Sequence, residues 1–120
     1  DVSQEKPMPL RDLTPADQES IRRVFAYQLT KWDWEAPTVL GVQKEEVESL
    51  LARWPAVDDE DEASLAHCAI HSSLGDLIGL RGISETDCQS EIGVTPKELA
   101  EIFKRWKPEF RPQSPLDFLA

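Results

Sequence analysis

A stretch of fifteen residues occurs twice in this chain, at an offset of 52. Residues 40–54, LGVQKEEVESLLARW, return as residues 92–106, IGVTPKELAEIFKRW. The Gly, Val, Glu, Arg and Trp are identical, and the remaining apolar positions of the helical stripe stay apolar. Val47, Leu50, Leu51 and Trp54 stand at i, i+3, i+4 and i+7, as do Leu99, Ile102, Phe103 and Trp106. That spacing lays one apolar stripe along a helix and puts charge on its other faces. The second copy carries start signals: Thr95 as N-cap, Pro96 at the first helical position, Glu98 to complete a capping box, and Val94 with Leu99 as a hydrophobic staple. In the first copy Val42 and Val47 repeat the staple and Gln43 is a poorer cap. Gly41 and Gly93 suit the left-handed residue that ends a helix. Each copy therefore reads as helix, glycine stop, tight turn, helix. Two such amphipathic units find the simplest cover in one shared core.

The rest of the chain fits the same scheme. Thr14-Pro15-Ala16-Asp17 is a helix start, and Ile21, Val24, Phe25, Leu29 and Trp32 continue it with helical period to about residue 34. Residues 63–78 are apolar or small on nearly every face, the mark of a buried helix; this is the expected central helix. Ser84, with Asp87 three residues later, opens a short helix that ends near Gly93. No segment alternates as a strand would. The expected fold is all-α: a compact bundle of about five or six helices, possibly two related helical hairpins. Residues 1–12, with Pro7 and Pro9, read as an extended arm, 13–107 as the helical domain, and 108–120 as a proline-rich tail.

At 120 residues the chain can enclose a sizeable core. No apolar run approaches the ~20 residues that cross a bilayer. Two cysteines, Cys68 and Cys88, are too few for a disulfide framework and read as reduced thiols. With no secretory signal pattern at residue 1, the reading is a cytoplasmic protein without membrane association.

The net charge is −10 and uneven. Asp58, Asp59, Glu60, Asp61, Glu62, Asp76, Glu85, Asp87 and Glu91 face a single base, Arg81, within residues 58–92. Such a field repels nucleic acid and accelerates encounter with basic proteins. Those nine acids are the candidate surface for a basic protein partner, with Trp32, Trp34 or Phe118 as aromatic anchors. The bland alternative for the run at 58–62 is an acidic helix start on a solvated face.

Other chemistries have weaker signals. His67 and His71 could chelate a metal from one helix face, given a third ligand from Cys88, Asp76 or residues 58–62. Residues 84–106 have the outline of a DNA-reading helix-turn-helix, with Lys97, Lys104, Arg105 and Lys107 on the second helix, yet Glu85, Asp87 and Glu91 would face the same phosphates. Ser72 and Ser73 follow His71 without a nucleophile-elbow sequence, and no glycine-rich phosphate loop is present. The pattern calls for no cofactor and no catalysis. The expected function is a non-catalytic acidic module that caps a basic partner surface, an immunity- or antitoxin-type inhibitor in its sharpest form.

Overall fold

The computed structural model describes residues 8–107. It is all-α, with six helices: α1 (Pro15–Thr30), α2 (Ala36–Leu40), α3 (Lys44–Arg53), α4 (Leu65–Gly75), α5 (Glu85–Asp87) and α6 (Pro96–Trp106). Helix α4 widens into a π-type turn at Asp76–Leu80, and α5 into another at Cys88–Ile92. A 3-10 turn, Leu10–Asp12, precedes α1. No described helix is long and apolar enough to cross a membrane.

The local signals act as the sequence implies. The hydroxyls of Thr14, Ser64, Ser84 and Thr95 accept the N–H groups of Asp17, His67, Asp87 and Glu98, each at 3.1 Å. Satisfying one orphan donor at each start fixes where the helix begins. Gln43 contributes differently: its own N–H donates to the Glu46 carboxylate at 2.7 Å, as Thr95 N–H does to Glu98 at 2.8 Å. Gly41 (φ 71°) and Gly93 (φ 92°) both take the left-handed conformation. At Gly93 a Cβ would meet only the end of the partly exposed Arg23 side chain, at 3.1 Å, so it is the left-handed backbone that calls for glycine there.

Three boundaries differ from expectation. Helix α1 ends at Thr30, because Asp33 starts a new turn by accepting the N–H groups of Glu35 and Ala36. The central helix begins at Leu65 behind the Ser64 cap, two residues later than its composition implied. Within the expected arm, residues 10–12 form a 3-10 turn with Leu10 buried, and Met8 N–H reaches the Arg105 carbonyl at 3.3 Å. The proline-rich tail lies outside the described residues.

The order of packing is not that of two self-contained hairpins. Helix α3 lies on α1, and its repeat α6 lies on α4. The short second helices cross over: α2 packs on α4, whereas the turn that continues α5 packs on α1. Helices α1 and α4 pack against each other at the centre. The two repeat tryptophans keep this exchange. Trp54 meets Phe25 of α1 edge-on at 5.3 Å and donates its indole N–H to the Gln18 carbonyl at 3.1 Å. Trp106 lies on His67 of α4 at 4.7 Å between ring centroids. Phe25, Ile21, Ile70, Leu74, Leu99 and Phe103 fill the shared interior, each fully enclosed.

Candidate functional site

The five adjacent acids at 58–62 form a built loop, and most of them have a place in it. Asp58 accepts the Glu60 N–H at 3.2 Å, and Asp61 accepts the Ala63 N–H at 2.9 Å. Ser64 Oγ donates to the Asp58 carbonyl at 2.8 Å. Glu60 meets Arg11 at 2.6 Å, an exposed pair on the rim of a cleft of about 360 Å³ lined by Arg11, Pro55, Ala56, Val57, Asp58, Asp59 and Glu60. The Arg11 guanidinium is held above its ordinary pKa, first by its hydrogen bond to Glu60.

Asp59 does not belong to an exposed patch. It is buried, and its Oδ2 accepts both the Trp106 indole N–H at 2.7 Å and the Leu10 backbone N–H at 2.9 Å. Its carbonyl lies 2.9 Å from His67 Nδ1. One residue thereby ties the 3-10 turn, α4 and α6 together. The physical reason is that a buried indole N–H and a buried amide both require an acceptor.

Asp76 is likewise withdrawn from the surface. It is buried at the end of α4 and accepts Arg81 Nε and Nη2, both at 2.8 Å. Gln28, buried on the inner face of α1, donates to it at 2.9 Å and accepts from Arg81 Nη2 at 3.3 Å. The bidentate ion pair and the amide satisfy the acceptor oxygens of this buried carboxylate. Arg81 extends the cluster to Asp33 at 3.7 Å, and its pKa is raised chiefly by the Asp76 hydrogen bonds. The one base among nine acids is thus part of the frame.

The remaining candidates, Asp58, Glu60, Asp61, Glu62, Glu85, Asp87 and Glu91, are exposed. They do not make one patch. The 58–62 loop leads into the N-cap of α4, and Glu62 acts on His71. Asp87 and Glu91 act with Asp76 on Tyr27, whose hydroxyl pKa is raised first by burial and then by those charges. Asp76 follows the last residue of α4, so roughly 16 Å of helix separates the two groups.

The histidines are engaged with the bundle. His67 and His71 stack with ring centroids 6.3 Å apart, and His71 meets Phe103 edge-on at 5.5 Å. Among the described residues no three His, Cys, Asp or Glu side chains converge as a metal site would require. Cys88 is enclosed in the turn that follows α5 and Asp76 is committed to Arg81, so neither supplies the third ligand. Both cysteines are free thiols. Ser73 is fully enclosed, and its Oγ has no hydrogen-bond partner among the described residues. No substrate can reach it there.

No family model matches this chain, and no curated protein or solved structure shows significant similarity to it.

The helix-turn-helix outline is present as α5, Gly93 and α6, but its basic face is thinner than its sequence. Arg105 is taken by Asp17, with contacts of 3.1 and 3.0 Å. Lys97 and Lys104 are exposed. Phe103 and Trp106 are core.

His71 gives the fold a pH dependence. Its pKa is lowered from about 6.5 by burial first, then by Lys107 and His67, with Glu62 opposing. The unfolded chain then takes up the proton before the folded one does. Stability is present in full above about pH 6.5 and declines as pH falls toward the folded pKa. His71→Phe keeps a ring against Phe103 and removes that titration. Urea midpoints at about pH 7 and about pH 5 are expected to differ less in the variant than in the parent. Parallel declines in both would exclude His71 as the source.

Proposed function

We propose that this chain is a non-catalytic binding module whose acidic surface engages a basic partner protein, with an immunity- or antitoxin-type inhibitor as the sharpest form. One observation carries the reading. Of the candidate acids that stay on the surface, Glu60 alone has a cationic partner among the described residues. Unneutralised carboxylates repel one another in the free protein, and a basic partner relieves that repulsion on binding. The same field disfavours nucleic acid, so a basic protein is the more fitting class of partner.

The reading is tested by neutralising Asp58, Glu60, Asp61 and Glu62 to Asn or Gln while keeping Asp59, whose carboxylate belongs to the core. A second variant neutralises Glu85, Asp87 and Glu91. Each is used beside the parent chain for affinity capture from the native lysate at low and moderate salt. Support would be a basic protein held by the parent at low salt and lost from one variant, with the loss muted as salt screens the charges. The same proteins held equally by all three chains would sink the proposal.

A further inference from the structure

Trp34 is the most exposed large apolar side chain among the described residues, at 85%. Its neighbours make that exposure specific. It stands between Asp33 and Glu35 in the turn joining α1 to α2, and the Asp33 carboxylate holds the turn through the Glu35 and Ala36 N–H groups, both at 3.1 Å. Arg81 approaches Asp33 from the other side at 3.7 Å, and beside Arg81 lies Leu80, itself 46% exposed. The guanidinium of Arg81 is fixed by Asp76. The indole is therefore displayed on a turn held from two sides.

Leaving a tryptophan in water forgoes the burial of a large apolar face, and such side chains are over-represented as anchors at interfaces. The surroundings decide the occupant. Asp33 and Glu35 precede and follow Trp34 in the chain and are exposed, Arg81 alone standing against them, and Asp87 and Glu91 act on Tyr27 toward the same end of α1. An apolar segment would have to desolvate carboxylates to reach the indole. A cation would not. Among cations, guanidinium stacks flat on an indole and pairs with a carboxylate through two parallel N–H groups, which an ammonium cannot do.

We propose that Trp34, with Glu35, is the docking point for an arginine side chain on an extended basic segment of the partner protein. This rests on the reading above that the partner is basic. The test uses the full chain and two probes, an arginine tetrapeptide and its lysine counterpart, both blocked at their ends. The indole N–H resonance of Trp34, assigned by its disappearance in Trp34→Ala, reports occupancy in each titration. The arginine peptide is expected to move that resonance and to bind at least about threefold tighter than the lysine peptide. Trp34→Ala should erase the preference, and Trp34→Phe should keep part of it. Equal affinities with an unmoved Trp34 resonance would overturn the arginine site and leave the acidic surface standing. No binding of either peptide at low salt would overturn both. Because Trp34 is outside the core, its replacement leaves the fold intact.

Discussion

Arg81→Ala is expected to destabilise the fold by about 3 kcal/mol, although the side chain is about a third exposed. The loss comes from what the substitution leaves behind. Asp76 is enclosed, and Arg81 is its cationic partner in two hydrogen bonds of 2.8 Å. Without its side chain the carboxylate would keep the Gln28 amide at 2.9 Å and the backbone N–H of residue 81 at 3.3 Å, and no cation. The reverse variant, Asp76→Ala, is expected to cost less, because Arg81 can turn outward to water. Adding Asp76→Asn to Arg81→Ala should restore a substantial part of the loss by removing the buried charge. Urea unfolding of Arg81→Ala, Asp76→Asn and the double variant measures this directly. A loss under about 1 kcal/mol for Arg81→Ala, or simple additivity in the double variant, would contradict the assignment.

Asp59→Ala is expected to cost a similar amount, about 3 kcal/mol, for a different reason. It strands two buried donors, the Trp106 indole N–H and the Leu10 amide. Asp59→Asn keeps an acceptor in place and should cost about 1 kcal/mol. In a Trp106→Phe background one donor is already absent, so Asp59→Ala should cost visibly less there. Neutralising the four neighbouring acids together should leave the unfolding midpoint near that of the parent. Hydrogen exchange at the Leu10 amide adds a local readout, since its protection should fall in Asp59→Ala and persist in Asp59→Asn. If Asp59→Ala behaves like its neighbours, the clamp does not carry stability.

These two residues mark where sequence reasoning reached its limit. Helix starts, glycine stops and the apolar stripes of α3 and α6 were legible because each depends on residues within one or two turns. The burial of α4 was legible from its small and apolar faces. Asp59 reads as surface because a run of acids looks solvated whichever member finds an internal donor, and Asp76, alone in an apolar stretch, joins the surface acids on charge alone. The neutral donors lie far along the chain, Trp106 from Asp59 and Gln28 from Asp76, although Arg81 is only five residues from Asp76. Signals did exist. Gln28 continues the spacing of Ile21, Val24 and Phe25, which puts an amide on the inner face of α1, where it needs a polar partner. Trp106 in an apolar stripe likewise needs an acceptor for its N–H. Both imply that some buried carboxylate or carbonyl must arrive, without saying which one. Leu10 escapes a sequence reading because the two prolines beside it suggest an extended arm. The splitting of the remaining acids between the two ends of α4 could not be read without the packing order.

That packing order has a consequence of its own. The stretch before residue 55 and the stretch after residue 63 each lend a short helix to the other, and the α1–α4 contact lies between them. Residues 14–54 made alone would carry an α2 whose receiving surface belongs to the absent half. Each half, α1 to α3 and α4 to α6, thus completes the packing of the other. Two separately made halves should therefore be poorly structured apart and acquire helical structure together when mixed. The linker that joins them is the loop holding Asp59, so the same segment that makes the molecule one chain also supplies the acceptor for Trp106.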